Sequence, residues 1–456
     1  MITRPPTPLA FLAMLAWCGA SNAATPGWKS VDLTNGFVTV QVVPEIGGRV
    51  IQYKLGDHSF LWVNPDLADK KPTASGLDAE GGWLNYGGDK LWPAPQGWDN
   101  DEQWPGPPDG VLDGQPHAME KLPVDQDGRM GVRLTSRDDP RSGIRFSRVI
   151  RLDPDGTRVS FEATMTNVDT KPRRWGIWSH IQLDGFNAKR TGHNPLMNAY
   201  CPINPNSHFP KGYNVIFGTK DNPSFQPDYD AGMMKINYQY KVGKIGMDSH
   251  AGWLATVNGE TGHAFIQRFV FESDKPYPDG ASVEFWHNGI GSIKAYNKTM
   301  TMDSTIDKNP CVFESEVLSP YAKLAPGESY TYKYQWQATT IGGDFPIIGC
   351  NDAGVTCLPL AATWNSGKLQ LTGRFGVFAP GQLRMTLFDG TGGSMASQTM
   401  KEPVSPLKPL VLDLAIDTAV KPAEIVLEWI SGKHDRQEVL GRTSLRHPVP
   451  TVPKQP

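Results

Sequence analysis

Short runs of alternating apolar and polar residues, separated by glycine and proline, dominate this sequence. The 456 residues include 47 Gly and 39 Pro, which bound the runs instead of interrupting longer helical patterns. Residues 144–152 alternate, turn through a loop with Pro and Gly at 153–157, and alternate again over 158–167, which is typical of a β-hairpin. The sequence therefore predicts an all-β protein.

The chain is longer than one typical domain, so we expect two. A stretch rich in Gly and Asp near 340–358 separates a longer first part from a shorter second part with plainer strand patterns. We predict a large β-sandwich over 24–340 and a smaller C-terminal β-sandwich over 341–446. The last segment, 447–456, holds four prolines in ten residues and is predicted to be a disordered tail.

Residues 1–23 have the pattern of a signal peptide: a basic start at Arg4, an apolar run over 9–17 and a small-residue cleavage site at 21–23. The apolar run is too short to span a bilayer, and no later run reaches about 18 apolar residues. We therefore predict a periplasmic or secreted protein with no membrane insertion after the signal is removed. The net charge of −3 gives no basic footprint for nucleic acid.

Four cysteines follow the predicted signal peptide, an even number in a chain predicted to reach an oxidising compartment. Cys350 and Cys357 bracket a short polar loop and are expected to form a local disulfide, which leaves Cys201 and Cys311 as a second pair. No metal or other cofactor is expected, because the sequence has no CxxC or CxxH spacing, no glycine-rich phosphate loop and no dense cluster of His and carboxylates.

Four tryptophans, beginning with Trp83, fall within residues 83–104, a segment too rich in Gly and Pro for regular structure, so we expect a loop. Faces of sugar C–H groups pack on indole rings, so the segment predicts a saccharide site, although tryptophans also suit the core of a large sandwich. Asp89 is a candidate catalytic carboxylate. The candidate binding residues of this segment are Asn85, Lys90, Trp92, Gln96, Trp98 and Trp104.

Two further patterns carry candidate acid–base residues. A strand ending in Thr-Asn at 166–167 is followed, about a dozen residues on, by His180, and Trp178 two positions before it is a further candidate binding residue. The segment Cys-Val-Phe-Glu-Ser-Glu at 311–316 places Glu314 and Glu316 on one face of a strand, and Leu-Ala-Pro-Gly-Glu follows at 324–328. These patterns resemble the galactose mutarotase-like (aldose 1-epimerase-like) superfamily over roughly residues 30–340. The most similar form is an uncharacterised bacterial branch known as a domain of unknown function.

This resemblance implies a galactose mutarotase-like supersandwich over 24–340 that handles a mono-, oligo- or polysaccharide. It also implies His180 as catalytic acid and Glu314 as catalytic base, with Glu316 as a nearly equal match. Mutarotases carry a first catalytic His in the segment that here reads Gly87 to Gln96, and none stands there. That departure puts simple mutarotase activity in doubt.

Arg49 follows a Gly-Gly pair at the place of a superfamily turn after the second strand. An arginine there is expected to bind a substrate carboxylate or hydroxyl. Lys90 and Arg49 are the candidates to replace the missing His as a hydrogen-bond donor.

The sequence leaves three functions open. The first is epimerase-like acid–base chemistry at the anomeric centre. The second is glycan cleavage, either by a hydrolase that uses Glu314 or Glu316 with Asp89, or by a lyase in which Arg49 or Lys90 neutralises a uronate. The third is saccharide binding without catalysis, which the missing His favours.

Overall fold

A computed structural model describes residues 27–68, 70–295, 298–432 and 436–445. The predicted signal peptide and tail lie outside these residues. Two short helical turns, Gly110–Gly114 and Pro278–Gly280, accompany many antiparallel strands, which confirms the predicted all-β class. No helix among the described residues has the length and apolar character needed to cross a membrane.

The strands of the first part are, in chain order, β1 (Val31–Thr34), β2 (Val38–Val43), β3 (Arg49–Leu55), β4 (His58–Ser59), β5 (Asp89–Ala94), β6 (Ala118–Leu122), β7 (Met130–Thr135), β8 (Ile144–Leu152), β9 (Val159–Asn167), β10 (Arg173–Asp184), β11 (Met197–Pro202), β12 (Asn214–Phe217), β13 (Phe225–Asp228), β14 (Met233–Asn237), β15 (Gly243–Met247), β16 (Trp253–Asn258), β17 (His263–Phe269), β18 (Val283–His287), β19 (Ser292–Ala295), β20 (Lys298–Thr301), β21 (Val312–Leu318), β22 (Ala322–Leu324) and β23 (Ser329–Thr340).

Two large sheets make up most of this part. The eleven-stranded sheet has the order β1-β2-β3-β5-β10-β21-β18-β15-β12, with β4 paired to β3 and β22 paired to β10. The ten-stranded sheet has the order β13-β14-β11-β16-β17-β23-β9-β8-β7-β6, and β19 and β20 form a separate two-stranded hairpin. The predicted hairpin is confirmed as β8 and β9, where buried and less buried residues alternate because successive side chains point to opposite faces.

Aromatic side chains from both large sheets meet in the core of the sandwich. Tyr53 on β3 packs against Phe265 and Trp336 of the ten-stranded sheet, with ring centroids 5.8 and 5.9 Å apart. Its hydroxyl donates a hydrogen bond to the carbonyl oxygen of Thr157. Large buried rings contribute much of the apolar burial that holds two sheets face to face.

The second part of the chain contains the strands β24 (Gly349–Cys350), β25 (Gly354–Asn365), β26 (Lys368–Val377), β27 (Gly381–Phe388), β28 (Ser394–Thr399), β29 (Leu410–Asp417), β30 (Glu424–Ser431) and β31 (Gln437–Ser444). They form two four-stranded sheets, β24-β25-β26-β29 and β28-β27-β30-β31, around a separate apolar core. This confirms the smaller C-terminal sandwich. The boundary at residue 341 stays a prediction.

The predicted disulfides are wrong for this structure, in which all four cysteines, each within the described residues, are free. Cys350 is aligned across the β24–β25 hairpin with Val355, two residues before Cys357. Cys201 lies in β11 of the ten-stranded sheet, whereas Cys311 directly precedes β21 of the other large sheet.

The expectation of a loop throughout the Trp-rich segment is also wrong, because Asp89–Ala94 forms the strand β5. Prolines are rare inside sheets because they cannot donate to the ladder. Here β5 pairs with β3 at one position, where Asp89 is aligned with Val50. Pro93 therefore lies beyond the part of β5 that is hydrogen-bonded to β3. This strand fixes which neighbours in the segment point into the core and which point away.

Candidate functional site

Neighbouring strands of the eleven-stranded sheet carry polar side chains on the face turned away from the sandwich core. The register aligns Gln182 on β10 with Glu314 on β21, Glu314 with Trp286 on β18, and Trp286 with Lys244 on β15. Since side chains alternate along a strand, His180 shares the face of Gln182. Residues far apart in sequence thus form one continuous row.

A cavity of about 380 Å³ opens over this row. One half contains the polar groups together with indole rings, and the other half is largely apolar. The lining residues used below are Trp83, Asn85, Trp92, Gln96, Trp178, His180, Gln182, Phe217, Lys244, Trp286, Ile293, Met300, Met302 and Glu314.

His180 lies at the centre of the polar half. Its Nε2 atom is 3.3 Å from Oε1 of Glu314 and 3.4 Å from Oε1 of Glu316. Its ring packs against Trp92, with centroids 3.8 Å apart. Gln182 donates a hydrogen bond of 2.9 Å from Nε2 to Oε1 of Glu314. The structure therefore brings together the three acid–base candidates His180, Glu314 and Glu316.

The surroundings give these three groups different protonation states. Burial lowers the pKa of His180 to about 4, so its imidazole is neutral at pH 7. Burial raises the pKa of Glu316 well above its usual range, and the nearby carboxylate of Glu314 adds to this effect. For Glu314, burial acts to raise the pKa, but His180, Gln182 and Lys90 together lower it. The site thus combines a neutral imidazole with two carboxyl groups whose pKa values are shifted in opposite directions, so that Glu314 ionises more readily than Glu316.

Lys244 places a positive charge next to two buried carboxyl groups near His180. Its Nζ atom lies 2.5 Å from Oε2 of Glu284 and 3.2 Å from Oε2 of Glu316. Burial acts to lower the pKa of Lys244, but these two carboxylates raise it above its usual value. The ammonium also lies 4.2 Å from the ring centroid of Trp178, a favourable cation–π distance.

Asp113 anchors two of the cleft tryptophans. Its carboxylate accepts hydrogen bonds from Nε1 of Trp83 at 2.6 Å and from Nε1 of Trp92 at 3.0 Å. Arg49, expected to bind substrate, is instead fully buried, with its guanidinium 2.9 Å from Asp113 and bonded to the carbonyl oxygen of Gly87 at 3.1 Å. Arg49 thus holds in place the Asp113 carboxylate that accepts hydrogen bonds from both indoles.

Lys90 is also fully buried, beneath the rings of Trp83 and Trp92. Its Nζ donates a hydrogen bond of 3.1 Å to Oε1 of Gln182, whose other amide atom donates to Glu314. Burial lowers the pKa of Lys90 to about 7. Lys90 therefore orients Gln182 and, through it, the Glu314 carboxylate.

The other predicted binding residues divide into two groups. Asn85, Gln96 and Trp178 line the cavity together with Trp92. Trp104 is buried behind Trp92, with centroids 5.1 Å apart, and its Nε1 donates to Asp109. Trp98 is 49% exposed and lies outside the cavity lining.

Asp89 does not join the other candidates. Because it precedes Lys90 on β5, its side chain points to the opposite face, into the sandwich core. There it is fully buried, forms an ion pair with Arg148 of β8 and accepts a hydrogen bond of 3.1 Å from Ser179. The hypothesis that Asp89 faces Glu314 across a substrate is therefore wrong.

His180, Glu314 and Glu316 are also the described residues that could hold a metal ion, with one ligand atom each, all within 4.8 Å of one another. Imidazole and carboxylate donors suit divalent first-row metals. The ammonium of Lys244 already supplies a positive charge to Glu316 in this cluster.

Sequence reasoning missed Asp113, Gln182, Lys244, Glu284 and Trp286. A signal existed for Gln182, because it is a polar residue two positions after His180 on the same strand. Asp113 and Lys244 carry no comparable local pattern.

The fold and this site define a two-sandwich β-protein with a buried His–carboxylate centre in a tryptophan-lined cleft. The chain belongs to the family described as Domain of unknown function (DUF4380), which matches residues 29–339. This match confirms the branch that the sequence resembles.

Several solved structures are similar to this chain. A TPR-domain containing protein from Parabacteroides distasonis is 14% identical with a TM-score of 0.44; the match covers 70% of this chain and 48% of that one, about half its length. A galactose mutarotase-like protein from Clostridium acetobutylicum is 11% identical with a TM-score of 0.42, over 69% of this chain and 96% of that one. A galactose mutarotase-like protein from Lactobacillus casei is 11% identical with a TM-score of 0.40, over 68% and 100% respectively.

Proposed function

We propose that this protein binds a saccharide in the tryptophan-lined cleft and interconverts its anomers by acid–base catalysis. The observation that carries the proposal is the position of His180, whose Nε2 lies within 3.4 Å of both Glu314 and Glu316 on the cleft floor. Indole rings beside this centre suit the apolar faces of a sugar ring. The signal-peptide pattern of residues 1–23 supports a periplasmic or secreted location.

Anomer interconversion needs two coupled proton transfers. Glu314, as the ionised base, takes the proton of the anomeric hydroxyl, while Glu316 passes its proton through Nε2 of His180 to the ring oxygen, so that the imidazole stays neutral. The bond between the anomeric carbon and the ring oxygen breaks as the carbonyl forms, and the ring closes again on the other face by the reverse transfers. These reverse transfers return the proton of the ring-opened hydroxyl to Glu316 through His180 and the proton held by Glu314 to the new anomeric hydroxyl.

Hydrolysis has less support. A glycosidase needs two carboxylates on either side of the scissile bond, and Asp89 lies on the opposite face of the sheet from Glu314. Glu314 and Glu316 stand side by side on one strand and approach the same imidazole nitrogen. For a lyase, the two cations expected to neutralise a uronate are already engaged, Arg49 with Asp113 and Lys90 with Gln182, although Lys308 in the cavity lining is 77% exposed.

The proposal is tested by following anomer interconversion of freshly dissolved α-D-glucose, α-D-galactose and α-D-mannose with polarimetry and NMR exchange. We expect wild-type protein to accelerate at least one of them, and His180→Gln to lose the acceleration. His208→Gln, whose side chain is 56% exposed, is the matched control. Binding of the sugars without acceleration would overturn the catalytic proposal and select a saccharide-binding protein.

Asp113→Asn is expected to weaken saccharide binding about tenfold, because an amide cannot accept from both indoles while it neutralises Arg49. Titration calorimetry measures the affinity, and tryptophan fluorescence reports the loosened rings. Asp127→Asn, at a carboxylate that is 57% exposed, should change neither quantity. Unchanged affinity in Asp113→Asn would show that the two indoles need no such anchor.

A further inference from the structure

The cleft extends well beyond the acid–base centre. In the register of the sheet, Glu314 on β21 is followed by Trp286 on β18, Lys244 on β15 and Phe217 on β12. Neighbouring strands lie about 4.8 Å apart, so Phe217 stands about 14 Å from Glu314 along this row. That span exceeds the width of a single pyranose ring.

The far half of the cleft differs in chemistry from the half that holds His180. Its floor is formed by Trp286 and Phe217, whose rings meet edge to face with centroids 5.9 Å apart. The indole plane of Trp286 is held by a hydrogen bond of 2.8 Å from its Nε1 to Oδ1 of Asn288. Lys244 stands between the two rings in the register, and its ammonium contacts Glu284 and Glu316.

The hairpin of β19 and β20 faces this floor. It pairs with neither large sheet, and its apolar residues Ile293 and Met300 line the cavity together with the adjacent Met302. Ile293 is buried, whereas Met300 is 43% exposed. The indole of Trp286 on the sheet and the aliphatic side chains of the hairpin therefore line the same cavity.

We infer that the ligand of this site has at least two rings, the second of which packs its apolar face on Trp286 beneath Ile293 and Met300. This inference rests on the proposed function and names its substrate class. The first ring lies over His180 and Glu314, and the second is either another sugar or an aryl group. Both sources present a ring face that can pack on Trp286.

The test compares ligands that differ only in the second ring. Glucose, galactose and mannose are titrated beside cellobiose, β-1,4-galactobiose, β-1,4-mannobiose and phenyl β-D-glucoside, using calorimetry and saturation-transfer NMR. We expect at least one two-ring ligand to bind wild-type protein about tenfold more tightly than its one-ring counterpart. Trp286→Ala should abolish that gain and lower one-ring affinity by a clearly smaller factor than two-ring affinity.

Met300→Ala provides a second test that does not depend on whether the Trp286 variant folds. It should reduce the gain in affinity from the second ring about threefold. Met119→Ala, at a methionine of similar exposure on β6, is the matched control. A gain with disaccharides identifies a sugar as the second ring, and a gain with the phenyl glucoside alone identifies an aryl group.

Two results would overturn the inference alone: one-ring sugars that bind as tightly as every two-ring ligand, or a Trp286 variant that weakens both kinds equally. If none of the ligands binds wild-type protein, the proposed function fails and the inference fails with it. Interconversion of one-ring sugars without any two-ring gain would leave the proposed function standing.

Discussion

Replacing Glu314 by Gln is expected to lower the rate of anomer interconversion at least about 100-fold, the scale of one lost general base. Glutamine retains the size of the side chain and an oxygen that can accept the hydrogen bond from Gln182, so we expect saccharide affinity to stay within about threefold. Polarimetry gives the rate, and calorimetry gives the affinity. A rate loss without a binding loss would assign Glu314 to the chemical step.

Glu162→Gln provides the matched control for this substitution. Glu162 is a strand glutamate with a side chain that is 49% exposed and paired to Lys333 on the outer surface. The control should have the wild-type rate. If Glu314→Gln also retained the wild-type rate, Glu314 would not be the base, and the neighbouring carboxylate of Glu316 would become the next candidate.

Asp89→Ala is expected to lower the free energy of unfolding by about 3–5 kcal/mol, because it leaves the charge of Arg148 buried without its carboxylate. The Arg148 side chain is only 3% exposed, and its remaining hydrogen-bond partner given by the structure is the hydroxyl of Tyr334 at 2.7 Å. Urea unfolding followed by tryptophan fluorescence measures the change.

Two comparisons separate this structural role from a catalytic one. Asp101→Ala removes a carboxylate that is 67% exposed and should lower the free energy of unfolding far less than Asp89→Ala. Joint replacement by Asp89→Leu and Arg148→Met should recover much of the lost stability, since neither charge is then left alone. An Asp89→Ala protein with wild-type stability and no activity would contradict the core position of this carboxylate.

Several features of the fold and the site could be predicted from local sequence. Alternation over 144–167 specified the β8–β9 hairpin, because the period of a strand and the geometry of its turn are local properties. The same property placed Glu314 and Glu316 on one face, since they are two residues apart on one strand. The superfamily resemblance predicted His180 and the Trp-rich segment predicted Trp92, and both line the cleft.

The roles of Asp89 and Lys90 could not be read in this way. Both stand in the segment expected to be a loop, where no alternation assigns side chains to faces. As part of β5, Asp89 points to Arg148 in the core and Lys90 points to Gln182 below the cleft. A shift of one residue in strand register would exchange the two roles.

By itself, therefore, the sequence determined the all-β class, the two sandwiches and the strands that carry His180, Glu314 and Glu316, because these follow from the short-range periodicity of the chain and its family pattern. Only the tertiary structure decided that Lys244, Glu284 and Trp286 join this centre, that Asp113 anchors its tryptophans, and that the four cysteines remain free. These contacts depend on the pairing of strands distant in sequence, and that pairing is set by packing across whole sheets.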